Sequence, residues 1–146
     1  MRLVEGLQTT LAAEHAAVWL YGVLGAQTSQ AGEPALYDGL VEGYRRHRAR
    51  RDQLTGLVRD AGAEPVAAAP AYDLPEPLAD VAQVRRVALG VEEGCAATYS
   101  SLVAGSVGDD RRWAITALTD AAVRQLAFGG VPQAFPGAPE LGPTTS

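Results

Sequence analysis

Two histidines, His15 and His47, and a few acids at helical spacing are the residues of this chain with the means to do chemistry. His47 lies in the run Tyr44-Arg45-Arg46-His47-Arg48-Ala49-Arg50-Arg51, near the middle of a long amphipathic stretch. At 100° per residue, Leu36, Leu40, Leu54 and Val58 fall within about 20° of it. The ring therefore belongs to an apolar face, where its nitrogens need partners. Glu14 interrupts a second apolar face, about 60° from Leu11, with His15 about 40° to the other side. Glu92 stands at the border of a third, beside Tyr99 and Arg85, whereas Glu93 points away. Each of Glu14, His47 and Glu92 is near the midpoint of its segment, so short hairpins would bring the three to one height.

Glu14, His47 and Glu92 together form a ligand set for a single iron, manganese or zinc ion with open positions. A two-metal bundle needs more: a Glu from each of two helices and Glu-x-x-His from each of the other two. Positions three apart converge on one site, but here Tyr44 stands where the glutamate before His47 belongs. The last segment has no such motif, since Asp120 lies about 160° from Leu118 and is set to pair with Arg124 at i+4. The other reading of these residues is a polar core network of Glu14, His15, Tyr44, His47, Arg51 and Glu92. Such a network fixes helix register without chemistry. The crowded arginines would neutralise the carboxylates before a metal did. The expectation is a degenerate site without cofactor and a binding or scaffold role rather than an enzyme. The alternatives are a single-metal redox or metal-binding protein using Glu14, His47 and Glu92, and an anion or nucleic-acid binder using the arginines of the second helix.

The elements that must position these residues are four helices. The first runs from about Leu3 to Thr28, with Val4, Leu7, Leu11, Glu14, Val18 and Tyr21 along its seam and Gly22 and Gly25 open to close approach. The second, from about Pro34 to Ala61, opens on a proline suited to a first turn and carries Tyr37, Leu40, Tyr44, His47, Leu54 and Val58 inward. Residues 63–77 contain Pro65, Pro70, Pro75 and Pro77 and read as an extended connection. The third helix, from about Leu78 to Ser106, turns Val81, Val84, Ala88, Val91, Cys95, Thr98 and Leu102 inward. The fourth, from Asp109 to about Phe128, turns Ala114, Ile115, Leu118, Ala121, Ala122 and Gln125 inward. Residues 131–146 form a Pro/Gly-rich tail, with Phe135-Pro136-Gly137 expected to dock and the last residues to be disordered.

Two antiparallel hairpins joined by one long proline-rich crossover make an all-α, ferritin-like four-helix bundle. The run Glu14-His15-Ala16-Ala17, Tyr44 with His47-Arg48, Asp73-Leu74-Pro75 and Val91-Glu92-Glu93 together resemble an uncharacterised ferritin-like domain family of high-GC Gram-positive bacteria, a domain of unknown function. The resemblance spans essentially the whole chain. It implies a compact, dimeric four-helix bundle and no established reaction.

Composition agrees with one such domain. The 146 residues are 47% apolar, enough for a single core. Lysine is absent, all 12 basic residues are arginine, and the net charge of −5 argues against a general nucleic-acid binder. The lone Cys95, on an apolar face, reads as a packed thiol in a reducing compartment. No signal-peptide pattern and no run of about 18 apolar residues is present, so a cytoplasmic protein without a membrane span is expected. Trp19, Trp113 and Arg124 lie at or beyond the edges of the core faces and are expected in a homodimer interface. The sequence names no small-molecule ligand.

Overall fold

The structure, a computed structural model, describes residues 2–142 and contains four helices: α1 (Arg2–Ala26), α2 (Pro34–Asp60), α3 (Val81–Gly105) and α4 (Gly108–Ala127). A short 3₁₀ turn follows at Pro139–Leu141, and the described residues contain no strand. The all-α four-helix bundle expected from the sequence is what forms.

Local signals set most of the boundaries. Pro34 occupies the first turn of α2, where its missing N–H is of no consequence. Gly62 follows the end of α2 with φ +83, a conformation that favours glycine. α3 starts at Val81 rather than Leu78 because Asp80 caps it. The Asp80 carboxylate accepts from Gln83 N at 2.8 Å, and Gln83 Oε1 accepts from Asp80 N at 3.2 Å. The chain between α2 and α3, residues 61–80, is non-helical, with isolated turns and bends among its prolines.

Side-chain pairings give the helix directions. Glu14 and Tyr21 of α1 meet His47 and Gly43 of α2, in reversed order. On the other side, Gly6, Glu14 and Tyr21 approach Leu102, Tyr99 and Glu92 of α3, again reversed. Thus α1 is antiparallel to both neighbours, and α2 and α3 run parallel. A parallel pair obliges the connection to travel the length of the bundle, about 40 Å for a helix of this size. Twenty non-helical residues span that comfortably.

Two apolar clusters fill the interior. One gathers Ala17, Tyr21, Leu24, Leu36, Leu40, Val84 and Val91 with their neighbours, and the other Leu7, Leu11, Leu54, Val58, Leu102 and Ala114. Glu14 and His47 lie in sequence between the two sets of contributors on both α1 and α2. The polar residues thus mark the boundary between two apolar layers.

The inner face of α4 differs from the expected one. Ala114, Ala117, Ala121 and Gln125 are buried, while Ile115 is 47% exposed. Small residues face inward because α4 packs on α3 positions that are themselves small, such as Ala96 and Cys95. The tail also docks differently from expectation. Phe135 is exposed, and contact is made by Gly137 and Ala138. Gly137 has φ +76, and a Cβ there would strike the Ala96 carbonyl. The expected disorder of the last residues concerns 143–146, which lie outside the described residues.

Candidate functional site

Glu14, His47 and Glu92, from three different helices, converge at mid-bundle with no exposed surface. His47 lies between the two acids. Its Nδ1 is 2.6 Å from Glu14 Oε2 and its Nε2 is 2.9 Å from Glu92 Oε1. A carboxylate at each nitrogen favours donation from both, the imidazolium form of the ring. Burial opposes that charge. Contacts with the Cys95 sulfur, Glu14 and Glu92 outweigh it, and the ring titrates well above its ordinary value of 6.5. Burial also pushes the Cys95 thiol up, which keeps the sulfur neutral.

Two tyrosines complete the first layer of contacts. Tyr21 donates to Glu92 Oε1 at 2.5 Å and stacks on the His47 ring, with centroids 5.3 Å apart. Tyr99 donates to Glu14 Oε1. Burial, then the neighbouring Glu92 charge, raises the Tyr21 pKa, and burial does the same for Tyr99. Both phenols therefore keep the proton they donate. Gly43 makes this possible, since a Cβ there would run into the Tyr21 ring.

Beyond the tyrosines the network reaches α4. Arg50 approaches the Tyr99 hydroxyl at 3.3 Å, lies over the Tyr99 ring at 5.4 Å and pairs with Asp120. Arg124 contacts Asp120 at 3.2 Å and approaches Glu92 Oε1 at 3.5 Å. Burial raises the Asp120 carboxyl, but Arg50 and Arg124 together bring it below its ordinary value. Three acids (Glu14, Glu92, Asp120) thus face three cations (His47, Arg50, Arg124), and the formal charges cancel.

The sequence-derived network is corrected in half its members. His15 lies outside this core, with Nε2 at 2.9 Å from the Val66 carbonyl of the crossover. Tyr44 is half-buried beside Gly22 of α1. Arg51 points to the same side and pairs with the exposed Asp52 at 2.8 Å. Their places are taken by Tyr21, Tyr99 and Arg50. Arg124, expected on the exterior, turns inward instead, with only 10% of its side chain exposed. Trp113 is half-buried, edge-on to Tyr99, and donates to Gln53 Oε1 at 2.7 Å. Trp19 lies against Tyr72 of the crossover.

The donor set does not fit an ion held by Glu14, His47 and Glu92. A metal needs an imidazole lone pair, and both nitrogens here already face carboxylates. Ligand atoms on one tetrahedral ion with bonds of about 2.0–2.1 Å stand roughly 3.3 Å apart; the separations of 2.6 and 2.9 Å are hydrogen-bond distances. Glu14, His47 and Cys95 do offer ligand atoms within 4.8 Å of one another. That cluster uses the same occupied imidazole. Among the buried groups of the network, Glu92 Oε2 and Arg124 Nε have no hydrogen-bond partner, and one acceptor oxygen beside a guanidinium is no cation site.

The comparisons with known proteins point to the same fold without naming a reaction. The crystal structure of a conserved hypothetical protein, Rv2844, from Mycobacterium tuberculosis is similar, with a TM-score of 0.81 and 29% identity over 88% of this chain and 95% of that one. No curated protein matches. The pattern of the domain of unknown function DUF4439 matches residues 6–140, nearly the whole chain. This chain belongs to the DUF4439 family.

Proposed function

We propose that this protein is a ferritin-like bundle in which a charge-balanced hydrogen-bonded core stands in place of a metal centre, and that it acts as a binding or scaffold module. The observation that carries this reading is His47 held between two buried acids, one at each ring nitrogen. Proton-transfer chemistry is disfavoured by the same burial, since neither the ring nor the two acids has any surface open to a substrate. The nucleic-acid reading of the α2 arginines loses support, because Arg50 is buried and committed to Asp120 and Tyr99.

A homodimer in the cytoplasm remains part of the proposal. The single buried thiol supports a reducing compartment, and no helix among the described residues is long and apolar enough to cross a membrane. With Arg124 turned inward, the exposed Ile115, Val123 and Leu126 of α4 are the better candidates for the face between two copies.

Elemental analysis of protein purified without chelator, joined to nitrogen NMR of the His47 ring, tests the reading. The expected result is sub-stoichiometric iron, manganese and zinc, and an imidazolium that persists well above the ordinary histidine pKa of 6.5. Near-stoichiometric metal that disappears in His47→Ala overturns it.

A further inference from the structure

Beside the polar core, and separate from it, a groove runs between α1, α2 and the crossover. Its cavity is about 510 Å³, within the ordinary range for small-molecule sites. A second hollow of about 290 Å³ continues it, sharing Gly22, Ala26 and Tyr44. We propose that this groove binds a small organic monocarboxylate with a flat, apolar body. The main cavity shares no residue with the His47 network, which the second hollow meets at Tyr21, so either proposal can fail alone.

The floor is bare by composition. Gly22 and Gly25 sit inside α1, where glycine is a poor helix former. A Cβ on Gly25 would meet nothing within 4 Å, and one on Gly22 would meet only the Tyr44 ring at 3.8 Å. Neither glycine is there to admit a neighbouring helix of this chain. What their missing side chains leave is the groove.

The outer wall is held in place before any ligand arrives. Gln8 accepts from Val66 N at 2.9 Å and donates to the Glu64 carbonyl at 2.6 Å, and His15 bonds to the Val66 carbonyl. The Tyr72 hydroxyl accepts from Ala69 N at 2.9 Å, while the Tyr72 and Trp19 rings lie 6.0 Å apart and tilted by 58°. An ordered, aromatic-lined wall lowers the conformational cost of binding a flat ligand.

The charge pattern selects the head group. Among the described residues, Arg51 is the one arginine of the lining and His15 its one histidine, and no carboxylate lines the groove. The Arg51 guanidinium is engaged only by Asp52, its neighbour in sequence, through Nε and one terminal nitrogen. Asp52 is 65% exposed, and so loose a pair yields readily to a ligand carboxylate. The guanidinium fork matches a carboxylate in shape. The Tyr44 hydroxyl, which makes no hydrogen bond among the described residues, is a second donor on the same lining. One cation against a mostly apolar surface suits a monoanion and disfavours a polyphosphate.

The probe is 2-naphthoate, titrated into the full chain by calorimetry while the two indole N–H resonances are followed by NMR, assigned with Trp113→Phe. One-to-one binding in the range of about 10–100 µM is expected, with the Trp19 resonance moving and that of Trp113 still. Arg51→Ala should weaken binding by about tenfold or more, with Arg51→Lys recovering part of it. Gly22→Leu should abolish binding while leaving the unfolding transition in place, and 2-naphthol, which lacks the carboxylate, should bind about tenfold more weakly than 2-naphthoate. No saturable binding, equal affinity for naphthol and naphthoate, or insensitivity to Arg51→Ala overturns the proposal. Self-association that shifts the Trp19 resonance and is blocked by Gly22→Leu also overturns it, since a second copy would then own the groove.

Discussion

The polar core and the groove lie side by side along the same length of α2, and they treat their polar groups in opposite ways. In the core, both nitrogens of His47, both tyrosine hydroxyls and the Arg50 guanidinium are engaged by other side chains of the chain. Along the groove, Arg51 has only a loose partner and Tyr44 makes no hydrogen bond among the described residues. A group satisfied at home has little affinity left for a ligand. By this contrast, the most polar cluster in the protein is structural, and receptivity belongs to the mostly apolar surface beside it.

The largest expected effect follows from removing the centre of the core. His47→Ala leaves Glu14 and Glu92 buried without their shared cation and should destabilise the fold by about 3–5 kcal/mol, read as a lowered urea midpoint. A loss under about 1 kcal/mol would mean that the core is wetter and looser than its burial implies.

The pH dependence sharpens the same side of the comparison. His47 has a folded pKa well above 6.5, so its stabilisation is complete below about pH 6.5 and is lost as pH rises through the folded value. In that window the native state holds a proton that the unfolded chain has released. Asp120 has a folded pKa below 3.8, so its stabilisation is present above about pH 3.8 and is lost as pH falls through the folded value. Urea midpoints measured from pH 3 to 9 should therefore be highest between about pH 4 and 6.5. His47→Gln should flatten the alkaline slope and leave the acid one.

Much of the core was legible in the chain. Helical phase and equal distance from the turns brought Glu14, His47 and Glu92 together, and four prolines gave away the crossover. Tyr21 and Tyr99 were harder, because a tyrosine on an apolar face has the periodicity of a core aromatic and its hydroxyl leaves no trace in the pattern. Phase alone places Arg51 inward, and the structure turns Arg50 inward instead. Arg50 and Arg51 lie about 60° to one side of His47 and about 40° to the other. Which one meets an acid depends on whether α4 or α1 lies on that side, and hence on the hand of the bundle, which periodicity does not encode. The inner face of α4 was read correctly at Ala114, Ala121 and Gln125 and missed at two places: Ile115 stands out in the hydrophobic pattern yet is exposed, and the small Ala117 is buried instead.

Two glycines carry the contrast to the backbone. Gly43→Ala drives a Cβ into the Tyr21 ring, displacing it from His47 and Glu92, and should cost about 1–3 kcal/mol. Gly25→Ala faces open space in the groove and should stabilise the fold by about 0.5–1 kcal/mol through helix propensity. Thermal melts of the two variants should move in opposite directions. Equal destabilisation would show that something occupies the space around Gly25.

The finest test uses adjacent residues. Arg50→Ala removes a guanidinium that serves Tyr99 and Asp120, with Arg124 left as the remaining partner of Asp120, and should cost about 1–3 kcal/mol. Arg51→Ala removes one that touches only an exposed neighbour, and its effect should stay within about 0.5 kcal/mol. Because the two share a helix and a residue type, propensity cancels from the difference, and what remains is the distinction between a satisfied arginine and a waiting one. Parallel denaturation curves that coincide for the two variants would erase that distinction. A clear gap would leave Arg51 as a cation maintained for reasons other than folding.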